Sequence, residues 1–186
     1  FTARAIYYRS KQGFDHNKVL ISAVVQKMVN SEISGIMFTV NPATNTANEM
    51  VIEAVYGLGE AIVSGSVTPD TYLVDKEKLV VTHHEIKEQH WGYFRDLETG
   101  NNIKKTFSSE LGSKQKMNDK DIQEFARLGK KIEEHYGYPQ DIEWALENGK
   151  HYIVQARAVT TFKEKKKNEN EENDEEVVTI DTLDLD

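Results

Sequence analysis

The sequence predicts an α+β fold in which a mixed or antiparallel sheet is flanked by helices. Three observations carry this prediction. Runs of β-branched and apolar residues follow one another directly in the first third of the chain, a long amphipathic helix comes late, and an Asn148-Gly149 turn joins two alternating segments behind that helix. The size agrees: 186 residues with 38% hydrophobic content suffice for one packed domain plus a solvated stretch.

The chain begins at Phe1, with neither an initiator Met nor a signal-like pattern, inside a segment that reads as a helix stopping near Gly13. It is therefore expected to be a fragment of a longer protein. Val19–Val29 and, after the break at Asn30 to Glu32, Ile33–Val40 read as two adjacent strands, the second ending at the turn signal Asn41-Pro42-Ala43-Thr44. Glu49–Tyr56 reads as a third strand. It leads through Gly57-Leu58-Gly59-Glu60 into a brief helix ending at Gly65, with Glu60 favourably placed in its first turn. Tyr72–Asp75 and Leu79–His83 flank Lys76-Glu77-Lys78 as a surface hairpin, whereas Glu85–Met117 is polar and weakly patterned, with no assignable chemistry. Asn118 then reads as an N-cap, with Ile122, Phe125, Ala126, Ile132 and Tyr136 on one helical face before Gly137 and Pro139 stop the helix.

The net charge of −8 sits mainly in the tail, where Lys163 to Asp186 holds ten acidic residues against four lysines. Residues 1–161 are expected to form the folded unit, and 162–186 an acidic, disordered linker with the start of a following segment. Such a tail repels nucleic acid and anionic membranes, the remainder shows no basic stripe, and no apolar run approaches the roughly 20 residues needed to cross a bilayer. Neither nucleic acid nor membrane is an expected partner. The absence of cysteine excludes disulfides, zinc thiolate sites and thiol nucleophiles, and fits a reducing, cytoplasmic setting.

The chemistry concentrates in the final hairpin. Asp141-Ile142-Glu143-Trp144-Ala145-Leu146 and Tyr152-Ile153-Val154-Gln155-Ala156-Arg157 each carry apolar residues at even positions. For both apolar faces to coincide, opposed residue numbers must sum to an even value, and a two-residue Asn148-Gly149 turn gives an odd one. A three-residue loop, Glu147-Asn148-Gly149, with Gly149 left-handed as a bulge, restores the match by opposing Leu146 to Lys150 and Asp141 to Gln155. Asp141, Glu143, Gln155 and Arg157 then share the face opposite the apolar one. Two carboxylates at i and i+2 repel unless a cation intervenes, and magnesium is typically held by one or two carboxylates with phosphates completing its shell. The residue types alone leave open an ordinary exposed sheet face, with cross-strand pairs of about 0.2 to 1 kcal/mol each.

Two other motifs carry less. Gly57 and Gly59 lack the third glycine of a dinucleotide fingerprint, since Ile62 stands there, and a tight turn explains both. Adjacent His83 and His84 face opposite ways on a strand and neither is expected to be catalytic.

Asp-Ile-Glu-Trp followed after a hairpin by Ile-Val-Gln-Ala-Arg resembles the end of the ATP-grasp domain of phosphoenolpyruvate synthases and pyruvate phosphate dikinases. The resemblance extends in family order over Val24-Val25-Gln26-Lys27-Met28-Val29, Ser34-Gly35-Ile36-Met37-Phe38-Thr39, Asn41-Pro42-Ala43-Thr44 and Ala54 to Gly65. The opening Phe1-Thr2-Ala3-Arg4-Ala5-Ile6-Tyr7-Tyr8-Arg9 looks like the synthase branch, and the likeness departs at Ala158, where the family more often has proline.

The resemblance implies a partial ATP-grasp fold over about residues 1–161. It implies that Asp141, Glu143 and Gln155 hold Mg2+ ions bridging the phosphates of ATP, that Arg157 contacts the phosphates and stabilises developing charge, and that Gln26, Lys27, Met28 and Val29 form the adenine hinge. It further implies a phosphotransferase with paired acceptors, pyruvate and water. The β-phosphoryl group would pass from ATP to a histidine on a separate mobile domain and then to pyruvate in a third domain, releasing AMP and phosphate. The carrier's Gly-Thr-Ser-His-type signature does not occur in this chain, and the phosphate-binding Lys and Arg of the preceding subdomain are missing. The chain alone is thus expected to bind nucleotide weakly and not to turn over. Pyruvate phosphate dikinase, an antibiotic phosphotransferase, a non-catalytic nucleotide-binding module and a purely structural scaffold are the alternatives.

Overall fold

The computed structural model of the protein describes residues 2–20 and 22–162. The expected acidic linker and the closing segment lie outside the described residues. Six strands, β1 (Ile33–Phe38), β2 (Glu49–Tyr56), β3 (Asp70–Asp75), β4 (Val80–Glu85), β7 (Gln140–Glu147) and β8 (Lys150–Ala158), form one sheet in the order β4-β3-β2-β1-β7-β8. Every pairing is antiparallel. A separate hairpin pairs β5 (Trp91–Arg95) with β6 (Asn102–Thr106). The helices are α1 (Ala3–Gln12), α2 (Glu60–Val63), α3 (Ser109–Gly112) and α4 (Asp119–Tyr136). The α+β expectation holds, with the sheet purely antiparallel. Among the described residues no helix is long and apolar enough to cross a membrane.

Period-2 alternation gives the sheet two unlike faces. Met37, Met50, Ile52, Tyr72, Val74, Ile142, Trp144 and Leu146 are buried on one of them, beneath Ile122, Phe125 and Ala126 of α4. The Phe125 and Trp144 rings lie 4.2 Å apart at the centre. Each large apolar side chain buried there contributes about 1.5–3 kcal/mol. Trp144 lies over Gly35 on the neighbouring strand, where a Cβ would stand 2.5 Å from the indole and 1.8 Å from the Glu53 carbonyl. Only glycine fits under that ring. Helix α4 begins where expected, with the Asn118 side chain accepting from the Asp121 amide, and ends at left-handed Gly137. Tyr136, expected on the buried face, is half exposed in the last turn, beyond the sheet's reach.

Three expectations are corrected. Val19–Val29 forms no strand over its described residues, which carry no regular element, with Leu20, Val24 and Val25 almost wholly exposed. Its composition suits a strand, but composition supplies no ladder partner, and β-propensity expresses packing on a sheet more than a backbone preference. The hairpin of β3 and β4 is only half on the surface, because β3 is an inner strand with Tyr72 and Val74 fully buried.

The last hairpin has the two-residue turn after all. Asn148 and Gly149 both adopt positive φ (50° and 72°), as a type I′ turn requires, and Glu147 opposes Lys150. The parity conflict is resolved four residues along β8 from that pairing. Trp144 opposes Ile153 while Glu143 opposes Gln155, so Val154 is an unpaired bulge. The core-facing residues of β8 are therefore His151, Ile153 and Ala156, rather than Tyr152, Val154 and Ala156. His151 packs edge-on against Phe125 and pairs with Asp121 at 3.0 Å.

Candidate nucleotide cleft

The bulge at Val154 decides which side chains meet on the sheet's other face. Beyond it the register becomes Glu143 opposite Gln155 and Asp141 opposite Arg157, instead of Asp141 opposite Gln155. All four residues stay on the expected face, although the device that puts them there is a strand bulge and not a longer turn. Through β1 the rows continue as Gln155–Glu143–Ile36–Glu53 and Arg157–Asp141–Phe38–Val51, about 7 Å apart along the strands.

In the second row, the Arg157 guanidinium donates from Nε to Asp141 Oδ2 at 2.9 Å, and its Nη2 lies 2.8 Å from the same oxygen as an ion-pair contact. Asp141 is largely covered and Arg157 mostly exposed, with side-chain exposures of 12% and 65%. In the first row, the Glu143 and Gln155 side chains make no hydrogen bond among the described residues. One guanidinium therefore neutralises one of two carboxylates, and the other stands beside an unengaged amide.

Glu143 and Gln155 line a cleft of about 450 Å³. It is also lined by the irregular segment Gln26, Lys27, Met28 and Val29, held against β8 where the Gln26 side-chain amide donates to the Val154 carbonyl at 3.4 Å. Its end is closed by Leu58, Gly59 and Glu60, and Ser34 beneath them donates to the Gly57 carbonyl at 2.6 Å. The structure thus brings together six of the residues singled out from the sequence, Gln26, Lys27, Met28, Val29, Glu143 and Gln155. Asp141 and Arg157 lie one row further along the same face, outside the cleft lining. His83 and His84 lie on the far edge strand, with His84 paired to Asp119 at 2.9 Å and stacked edge-on against Tyr72.

Sequence reasoning missed two polar residues here. Asn102, on β6, lines the cleft and donates to Glu60 Oε2 at 3.4 Å, but nothing in the weak pattern of 85–117 marked it. Glu53 shares the row of Glu143, and the alternation of Glu49, Val51 and Glu53 with buried Met50, Ile52 and Ala54 did carry that signal. Burial pushes the Glu53 carboxyl above the usual glutamate range. The folded chain therefore holds this proton more tightly than the unfolded chain. Stability attached to the group is present at low pH and lost as pH rises past the ordinary glutamate value. Glu53→Gln is expected to raise the melting temperature at about pH 7 and to leave it unchanged near about pH 3.5. A thermal unfolding series across pH checks this, and an equal shift at both ends would contradict it.

The donors available for a metal are all oxygen: the Asp141 and Glu143 carboxylates and the Gln155 amide. Among the described residues no group of three or more His, Asp or Glu side chains gathers as a metal cage. Two carboxylates and an amide, with the cleft open at Glu143 and Gln155, suit a hard cation that takes its remaining ligands from water and phosphate, as magnesium does.

Comparison with known proteins identifies the family. The family described as pyruvate phosphate dikinase, AMP/ATP-binding domain, matches residues 1–177. A probable phosphoenolpyruvate synthase of Pyrococcus abyssi is 52% identical over 97% of the chain, and one of Methanocaldococcus jannaschii is 50% identical over 90%. A rifampicin phosphotransferase of Bacillus cereus is 42% identical over 87%. The chain spans only 23%, 14% and 18% of these proteins respectively. The sequence, the cleft between Gln26–Val29 and Glu143, and these matches together show that the chain belongs to the AMP/ATP-binding domain family of pyruvate phosphate dikinase.

Proposed function

We propose that the cleft binds ATP as its magnesium complex, in a protein that acts as a phosphoenolpyruvate synthase. Its overall reaction would convert pyruvate, ATP and water to phosphoenolpyruvate, AMP and phosphate. The phosphoryl group would travel through a histidine on another domain of the same enzyme, in the cytoplasm. The observation that carries this reading is that one cleft joins Gln26–Val29 to Glu143 and Gln155.

In this reading the base lies against Met28 and Val29, with its polar edge at the backbone of the segment. The triphosphate runs along the two polar rows. Asp141, Glu143 and Gln155 would hold Mg2+, which when bound supplies charge neutralisation for the phosphates. Arg157 contacts a phosphate oxygen and stabilises the charge that develops as the phosphoryl group leaves. Asp141 orients that guanidinium through the Nε hydrogen bond and the ion pair at its Oδ2. The similarity to a rifampicin phosphotransferase supports a second reading that shares this site and differs only in the final acceptor.

The test is calorimetric titration of ATP into the chain with magnesium and with magnesium chelated, alongside thermal melting. Saturable binding that needs magnesium and raises the melting temperature is the expected result, since a ligand of the native state stabilises it. A folded chain that binds no nucleotide at millimolar magnesium-ATP overturns the reading.

A further inference from the structure

The β5–β6 hairpin belongs to neither the main sheet nor the expected nucleotide site, yet it contributes a side chain to the cleft. Strand β5 is fixed against the turn at its end. Gln89, almost fully buried, accepts from the Tyr56 amide at 2.8 Å and donates to the carbonyls of Tyr56 at 3.0 Å and Trp91 at 2.9 Å. The Leu58 amide donates to the Tyr93 carbonyl at 2.8 Å. At Gly57, φ is +88° and a Cβ would stand 2.2 Å from that same carbonyl. Strand β6 pairs with β5, with Asn102 opposite Arg95, so the hairpin delivers Asn102 beside Glu60 at a defined place.

That place lies between the two ends of the proposed nucleotide. Gly59 stands over Ser34, and Ser34 opposes Ala145, one row from Glu143 and two rows from Asp141. With phosphates on the Asp141 and Glu143 rows and the base against Gln26–Val29, the sugar falls at Glu60 and Asn102. The chemistry there suits a vicinal diol. The Glu60 carboxylate accepts from hydroxyl groups, and the Asn102 amide both donates and accepts. Their mutual bond of 3.4 Å is long enough to yield to a ligand.

We propose that Asn102, with Glu60, reads the ribose hydroxyls of the nucleotide and makes the cleft selective for ribonucleotides. This rests on the ATP reading above and adds a specificity residue from outside the sheet.

The test compares magnesium complexes of ATP and 2′-deoxy-ATP, titrated into the chain, into Asn102→Leu and into Lys104→Leu. Lys104 lies on the same strand with its ammonium over the Trp91 ring, which controls for disturbance of the hairpin. The wild type is expected to prefer ATP by about five- to tenfold, the value of one or two hydrogen bonds. Asn102→Leu should lose that preference by weakening ATP alone, and Lys104→Leu should keep it. Equal weakening of both nucleotides by Asn102→Leu, or a wild type that binds both equally, overturns the role of Asn102 and leaves the ATP site standing. A wild type that binds neither overturns the ATP reading and Asn102's role with it.

Discussion

Lys116→Met is expected to destabilise the chain by about 3–5 kcal/mol, the range for removing one partner of a buried ion pair. Lys116 and Asp70 are both fully buried in their side chains, with Nζ 2.8 Å from Asp70 Oδ1. The ammonium also donates to the carbonyls of Lys87 and Gly112. Asp70 accepts from the amides of Lys87 and Lys116, and from the Tyr72 hydroxyl, each at 2.9 Å. Burial first, and then the Asp70 charge, pushes the Tyr72 phenol above its usual range, so it remains a donor. Removing the ammonium leaves a carboxylate with three donors but no countercharge in a dry interior. Chemical denaturation measures the loss, and Asp70→Asn combined with Lys116→Met should recover part of it. By contrast, breaking the exposed pair of Lys114 with Glu110 should change stability by about 0.5 kcal/mol or less. A loss below about 1 kcal/mol for Lys116→Met would show that water reaches the pair.

This ion pair ties the segment from Lys87 to Lys116 to the start of β3, and that segment carries the hairpin with Asn102. It falls within the stretch where the sequence offered no pattern. The reason is physical: the segment is held by individual polar contacts, through Gln89, Asp70 and Lys116, and not by a periodic apolar face. Hydrophobic periodicity reports only burial that repeats with the backbone. Long elements that bury a regular face, such as α4 and β2, were legible with their ends, because caps and alternation are local. The segment 19–29 misled for the converse reason. Its apolar residues look like a core strand, yet Leu20, Val24 and Val25 lie exposed while Met28 and Val29 line the cleft, and only the ladder that it lacks distinguishes the two states.

The hairpin of β7 and β8 shows how far parity reasoning reaches. Alternation required one extra residue somewhere in the pair, and that requirement was correct. The sequence did not say where it would fall. Asn148-Gly149 is a strong two-residue turn in its own right, so the irregularity moved to Val154 on β8, where the paired strand is the sheet's edge and tolerates a bulge. The consequence is functional. The bulge exposes the Val154 carbonyl to Gln26 and aligns Gln155 with Glu143, so the same irregularity joins the two walls of the cleft.

Glu143→Gln is expected to abolish the magnesium dependence of ATP binding rather than binding as such. Asp141 already has a cation, since the Arg157 guanidinium is ion-paired and hydrogen-bonded to its Oδ2. Glu143 has none among the described residues, so it is the charge on this face that a bound metal would balance. Without magnesium, that carboxylate repels the triphosphate, and the amide of the variant does not. With magnesium, the carboxylate recruits the ion and the amide holds it far less strongly. The wild type should therefore gain about 30- to 100-fold in ATP affinity on adding magnesium, the scale of a charge-assisted contact of about 2–3 kcal/mol. The variant should gain no more than a few-fold, and should bind metal-free ATP at least as well as the wild type does. Because Gln nearly matches Glu in shape and Glu143 is only half buried, its melting temperature without ligand should stay close to that of the wild type. Paired titrations with and without magnesium give all four affinities. A variant that keeps the full magnesium gain would move the metal off Glu143 and leave Asp141, with Arg157 displaced, as the ligand.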